Sequence, residues 1–225
     1  EILTCSVICN ADYTAENCVC DRNGVVYDLC SGSSKIRISC PIAGRFTVPN
    51  SMQAAICALK MGISVKNIKN ALASLSGIKG RMERVRLGMD ADFSVLIDYA
   101  HTPDALNKAL YELKNLASGK LHVVFGCGGN RDKSKRGLMG QAAEKYADYI
   151  YLTNDNPRDE DELTIIRNII SGIENRRNVY INPDRYECIE YALKNMEKKD
   201  VLLIAGKGHE DYKEIKGVRY PFDER

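Results

Sequence analysis

Apolar and polar positions along the chain follow two rhythms that change over near residue 80. Up to about residue 45 the apolar positions come in short, strand-like runs, and "NCVCDRNGVVYDL" sets two of them around Asn23-Gly24, a hairpin signal. "TVPNSMQAAICALKMG" then takes a helical rhythm, with Pro49 in its first turn and Gly62 past its end. A second helix is predicted over "SVKNIKNALASLSG", with Ser64 as N-cap and Val65, Ile68, Leu72 and Leu75 on one face. Nothing before residue 1 closes the β-rich part, so residues 1–80 read as the tail of a larger domain, ending in the linker "SGIKGRME".

Residues 81–225 alternate regularly. Strands are predicted at "FSVLIDYA", "LHVVFG", "DYIYL", "NVYIN" and "DVLLIAG". Helices fall between them at "PDALNKALYELKNLA", "GLMGQAAEKYA", "DELTIIRNIISGI" and "DRYECIEYALKNM". Strands alternating with three-turn helices predict a doubly wound, Rossmann-like, mostly parallel α/β sheet. The unbroken apolar run Val201-Leu202-Leu203-Ile204 fits a strand covered on both faces. A closing hairpin is predicted where "YKEI" and "VRYPF" bracket Lys216-Gly217.

Composition narrows the function classes. Apolar residues make up 44% and charged residues 28% of the 225, as in globular proteins. A formal charge of +2 argues against nucleic acid or a membrane surface as partner. No apolar stretch reaches about 18 residues, and the start at Glu1-Ile2-Leu3 has no basic segment leading into an apolar one, so no span or signal peptide is expected. The nine cysteines are odd in number, irregularly spaced and without a C-x-x-C pair, which predicts reduced thiols, with Cys57 and Cys127 acting as small hydrophobes.

Ligands of open α/β sheets sit beyond the carboxyl ends of the strands, so the polar clusters there carry the functional reading. After the first strand comes Asp98-Tyr99-Ala100-His101-Thr102-Pro103-Asp104. Helix capping accounts for Thr102 and Pro103 but leaves Asp98 and His101 over. After the second, three glycines in "GCGG" let the backbone approach a ligand, and Arg131, Lys133, Lys135 and Arg136 point to an anionic one. This is not a phosphate-cradling P-loop, because G-x-x-x-x-G-K-[ST] occurs nowhere.

After the third strand comes "TNDNPRDEDE". Asn156-Pro157 reads as a turn, and Asp159, Glu160, Asp161 and Glu162 favour the next helix start. Arg158 opposes that helix dipole and is expected to point outward, to fork onto a ligand carboxylate. After the last main strand, Gly206 and Gly208 flank Lys207, followed by His209 and Glu210. A crevice with both arginines and carboxylates suits a zwitterion such as an amino acid. No G-x-G-x-x-G opens the first helix, which disfavours a dinucleotide.

In order, "GRFTVPNSMQAA", "GRMERV", "DYAHTPDAL", "GCGGNRDKSKRGLMG", "TNDNPR", "AGKGHEDY" and "PFDER" resemble the Mur ligase family from about Gly44 to Arg225. Within it they resemble the branch adding the third residue of the peptidoglycan stem peptide. Residues 1–43 resemble the end of the family's central ATP-binding domain only loosely. The resemblance implies residues 1–80 as the truncated tail of that domain and residues 81–225 as a C-terminal amino-acid-binding domain. It implies a monomeric enzyme of the bacterial cytoplasm, active with ATP and Mg2+. The carboxylate of UDP-N-acetylmuramoyl-L-alanyl-D-glutamate would be phosphorylated and then attacked by the amine of an incoming amino acid, giving an amide, ADP and phosphate.

By the same resemblance, Asn50, Arg81 and Asp98, with His101 beside them, hold the nucleotide. Arg131, Asp155, Asn156, Pro157, Arg158, Gly206 and Glu210 line the amino-acid pocket. "DNPR" at Asp155–Arg158 has the form of meso-diaminopimelate-adding members; lysine-adding ones usually lack the arginine. Diaminopimelate differs from lysine by one distal carboxylate, which Arg131 and Arg158 could pair while Glu210 and Asp155 receive its ammonium. Two charge-assisted hydrogen bonds of about 1.5–3 kcal/mol each discriminate by roughly a hundredfold or more.

The sequence departs from the family at Asn130, where Asp is frequent, at Gly137 (Pro) and at Thr47 (Asn). An amide at 130 is expected to weaken the orientation of Arg131. No metal ligand or catalytic residue is assigned within the chain, because the P-loop and the lysine that relatives carbamylate are expected upstream of residue 1. The chain alone is therefore expected to be inactive. The alternatives are a lysine-adding ligase, a folylpolyglutamate-synthetase-like ligase, and a non-catalytic module that binds an amino acid or peptide.

Overall fold

The computed structural model describes residues 2–21, 23–88 and 91–225; Glu1 and Arg22, which fall within two of the segments read above, lie outside them. The chain forms two compact units, Glu1–Ile78 and Lys79–Arg225.

The first unit is a four-stranded sheet with two helices. Strands β1 (Cys5–Ser6), β2 (Tyr13–Asp21), β3 (Gly24–Ser31) and β4 (Ser34–Cys40) lie in that order, β1 parallel to β2 and the others antiparallel. Asp21 pairs with Gly24 beside the expected turn. Helix α1 (Thr47–Lys60) buries Val48, Met52, Ala55 and Ile56, spaced so that they share one face. With Ile68 and Leu72 of α2 (Val65–Ala73) they join Val25, Tyr27, Leu29 and Ile38 in one core. The buried Tyr27 hydroxyl is satisfied by Ser51 Oγ at 3.0 Å.

Ser64 caps α2 by accepting from the Asn67 N–H. The helix ends at Ala73, so Leu75 falls outside it, and Val65 in its first turn is also exposed. Cys57 faces solvent rather than the core, while Cys127 is buried.

The second unit is a six-stranded sheet in the order β5-β6-β10-β7-β8-β9. Its parallel strands are β6 (Ser94–Asp98), β7 (Leu121–Phe125), β8 (Tyr149–Leu152), β9 (Val179–Ile181) and β10 (Val201–Ala205). The two-residue β5 (Glu83–Arg84), which no periodicity announced, adds antiparallel to the β6 edge. Helices α3 (Pro103–Leu116), α4 (Ser134–Tyr146), α5 (Glu162–Ile170) and α6 (Arg185–Lys194) make the crossovers.

Alternate residues serve opposite faces, which explains the unbroken apolar runs. Leu121, Val123 and Phe125 pack with α3, α4 and α5, whereas Val124, Leu202 and Ile204 pack with Cys188 and Ala192 of α6. Thr102 and Asp161 cap α3 and α5. Helix α4 begins three residues before the predicted Gly137, and Gly137 lies where the α4 and α5 backbones come close, its carbonyl against Gly172. Strands β11 (Tyr212–Ile215) and β12 (Val218–Pro221) form the closing hairpin. Among the described residues, α6 is the helix packed on its face of the sheet, and β10 enters between β6 and β7, so the strand order reverses there. That is where a ligand crevice is expected.

Candidate functional site

At the carboxyl ends of β8 and β10 the backbone approach is too close for side chains. Gly206 has φ +113°, and a Cβ there would sit 2.7 Å from the Asp155 carboxylate. Asp155, almost buried, accepts no hydrogen bond among the described residues; its nearest cation is Lys207 Nζ at 4.0 Å. Asn156 is the hub. Its Oδ1 accepts from Lys207 Nζ (3.0 Å) and the Glu214 N–H (2.8 Å), and its Nδ2 donates to Glu210 Oε2 (2.8 Å). Its carbonyl accepts from the Gly129 N–H at 2.9 Å. Pro157 is buried, with its carbonyl so near Gly129 that a Cβ there would lie 1.8 Å away.

The two arginines of the pocket reading converge. A Cβ on Gly128 would lie 3.0 Å from Arg158 Nη1 and 3.6 Å from Arg131 Cγ. Arg131 is exposed, with no side-chain partner among the described residues. Arg158 does not point outward as expected. Its backbone is left-handed (φ +52°), its N–H and carbonyl pair with the closing hairpin at Glu214 and Lys216, and its side chain is 17% exposed. Nη1 donates to the Gly129 carbonyl (3.0 Å) and Nε faces the Glu214 carboxylate (3.3 Å). Only Nη2 is left without a protein partner among the described residues, so the guanidinium is held in place with one edge to spare.

A second cluster surrounds Asp98 at the end of β6. Its Oδ2 accepts from the Met82 N–H (2.7 Å), its carbonyl accepts from the Gly206 N–H (3.1 Å), and burial raises its carboxyl above the usual range. Arg81 lies 4.8 Å over the Tyr99 ring, with the His101 and His209 rings 4.5 and 5.2 Å from it. His101 Nδ1 contacts the Tyr99 carbonyl at 2.8 Å. Asn50 belongs to the first unit, exposed on the first turns of α1. Nearby Thr47, at a position of family departure, buries its hydroxyl without a hydrogen-bond partner.

Sequence reasoning missed the most deeply buried members. Lys207 has no exposed surface; burial lowers its pKa against the pull of Asp155, and it donates to Asn156 Oδ1 and to the Tyr212 carbonyl (2.6 Å). Arg185, also buried, donates to the Asn154 and Ala205 carbonyls (2.9 and 3.0 Å) and pairs with Glu224. Burial raises the Glu224 carboxyl despite that pairing, and its Oε2 has no partner among the described residues. The predicted role of the four acids also divides. Asp161 caps α5, whereas the Arg136 guanidinium holds Glu160 down to about 2, with both Nη atoms at 3.0 Å. The lone signal was Lys207 between two glycines at a strand end; nothing in the sequence announced Glu160 or Arg185.

Fold and site together define an α/β domain that gathers cations and carboxylates at the carboxyl ends of its strands. Residues 80–208 match the family described as Mur ligase, glutamate ligase domain, and the chain belongs to the Mur ligase family. It is 43% identical over 195 residues to a UDP-N-acetylmuramoyl-L-alanyl-D-glutamate--2,6-diaminopimelate ligase of Prochlorococcus marinus, covering 85% of this chain and 38% of that one. To the ligase of the same name in Geobacillus thermodenitrificans it is 40% identical over 225 residues, all of this chain and 46% of that one. A solved structure of a ligase so named superposes with TM-score 0.69 at 39% identity, over 99% of this chain and 46% of the other. The chain thus spans less than half the length of these relatives.

Proposed function

We propose that the complete protein carrying this chain is an ADP-forming amide ligase. It joins meso-2,6-diaminopimelate to UDP-N-acetylmuramoyl-L-alanyl-D-glutamate, and this chain supplies the grip on the incoming amino acid. The observation that carries the reading is the convergence of Arg131 and Arg158 on Gly128, with Asn156 joining that turn to Glu210. The names of the relatives support the same substrate.

Arg131 and the spare edge of Arg158 receive the distal carboxylate, and Asp155 and Glu210 receive an ammonium. Asn156 and Lys207 hold those carboxylates in place. The Arg158 guanidinium is fixed before the ligand arrives, so little side-chain entropy is lost on binding. Lysine would leave Arg131 and the spare edge of Arg158 without a ligand carboxylate, a penalty of roughly a hundredfold or more.

Arg81, Asp98, His101 and Asn50 are the residues assigned to the nucleotide. The stacked Arg81–Tyr99 pair, with two imidazoles beside it, fits a nucleoside surface. ATP with Mg2+, when bound, supplies the phosphoryl group that activates the acceptor carboxylate. The chain holds no P-loop sequence, so its own part is to position the amine and exclude competing amino acids. No helix among the described residues is long and apolar enough to cross a membrane. The proposed reaction places the protein in the bacterial cytoplasm, acting on small soluble substrates.

The test is phosphate release by the complete protein with ATP, Mg2+ and the UDP-linked dipeptide, comparing meso-diaminopimelate with L-lysine. Release with diaminopimelate alone is expected. Release with lysine alone would keep the ligase but remove Arg158 as reader, and release with neither would leave a binding module.

A further inference from the structure

The loops that carry the two arginines are sewn to each other, and the stitching lies outside the residues assigned to the pocket. Asn130, immediately before Arg131, sits in the left-handed region (φ +52°), as Arg158 does. Asn130 Nδ2 donates to Asp159 Oδ2 at 2.6 Å, and its N–H donates to Glu160 Oε1 at 2.6 Å. A carboxylate only accepts, so the amide must turn its NH2 toward Asp159, which fixes its rotation. Beneath this pair the buried Arg136 binds Glu160 and donates to the Gly128 carbonyl at 3.3 Å. The residue before Arg131 is therefore bonded to the two residues that follow Arg158.

We infer that Asn130 is a positioning residue and that the Asn130–Asp159 hydrogen bond is a clasp. It sets the direction of Arg131 against Arg158, so that both guanidinium groups serve one carboxylate of the incoming amino acid. This rests on the function proposed above. It also corrects the expectation that an amide at 130 weakens the orientation of Arg131. With Asp159 opposite, an aspartate at 130 would set two carboxylates against each other, whereas the amide bonds.

Asn130→Asp is the informative change, because aspartate also tolerates the left-handed backbone and differs chiefly in charge. In the complete enzyme, Asn130→Asp should raise KM for diaminopimelate about three- to tenfold, the weight of one hydrogen bond. KM for ATP should not move. Adding Asp159→Asn reverses donor and acceptor and should bring KM back to within about twofold. An unchanged KM in the single variant, or a double variant no better than the single, would overturn the clasp.

Should Asn130→Asp fail to fold, Asp159→Ala removes the same bond from an exposed position. A raised KM there supports the clasp and an unchanged one overturns it. Wild-type enzyme that releases phosphate with diaminopimelate while both variants stay silent on KM breaks the clasp alone. Wild-type enzyme without that activity breaks the proposed function and the clasp with it.

Discussion

Both ends of the six-stranded sheet bury ionisable side chains, and they use them differently. At the amino ends, Asp200 Oδ1 accepts from the Lys120 N–H (2.7 Å), and its Oδ2 from the Glu197 N–H (2.8 Å) and His122 Nε2 (3.1 Å). The other His122 nitrogen meets the Tyr151 hydroxyl at 3.1 Å. Asp148 accepts from the Leu121 N–H and pairs with Lys114. These groups spend their capacity on loop backbone and on one another.

At the carboxyl ends Arg131 has no partner, Arg158 keeps one edge, and Asp155 accepts nothing, among the described residues. A buried charge is therefore a poor marker of a site by itself, because structural networks bury charges as well. The better marker is a charge held rigidly by its neighbours yet left with capacity unspent.

That contrast can be broken from either end. The largest effect is expected for Asp200→Ala, which strands two backbone N–H donors and a buried imidazole. Unfolding free energy should fall by on the order of 3 kcal/mol, read from the denaturant midpoint, while KM for the amino acid stays within twofold. A change confined to KM would place Asp200 with the ligand and erase the distinction. Next comes Arg158→Ala in the complete enzyme. KM for diaminopimelate should rise by roughly a hundredfold, about 2.7 kcal/mol, with KM for ATP unmoved. Comparable loss of ATP binding would mean that Arg158 supports the whole crevice instead of reading one carboxylate.

Much of the carboxyl end was legible because it follows from position in the fold. Once alternating strands and helices were recognised, Asp98, the Gly126–Arg136 loop, "DNPR" and Gly206–Glu210 had to fall at strand ends. Caps at Ser64 and Thr102 are readable because a side-chain oxygen ahead of an apolar period has few other uses, whereas nothing singles out Asp161 among its neighbouring acids. What stayed hidden depends on contacts between distant segments. The helix dipole predicts an outward-pointing Arg158, but its partners are Gly129 and Glu214, far away along the chain. Glu160 resembled one more helix-start acid until Arg136 and Asn130 were found on it. Lys207 could not be recognised as fully buried from its residue type, since lysine ordinarily reaches solvent. Strand β5, two residues long, carries no period to read.

The smallest effect concerns pH and separates the two ends again. Burial lowers the pKa of His122 below its ordinary 6.5, against the opposing pull of Asp200, Asp148 and Glu197. Its ring lies near-parallel to those of Tyr149 and Tyr151, with centroids 4.6 and 5.9 Å away. A histidine whose folded value is depressed binds a proton more readily when unfolded. Its contribution to stability is therefore complete above about pH 6.5 and is lost as pH falls from there through the folded value. The slope cannot exceed about 1.4 kcal/mol per pH unit for one proton. His122→Phe keeps a flat ring beside the tyrosines and removes the titration. Unfolding midpoints measured from pH 7 down to pH 5 should fall less steeply in the variant than in the wild type, at equal KM. Equal slopes would mean that His122 takes up its proton as readily in the folded protein as in the unfolded one, so that burial does not close the amino end to protons.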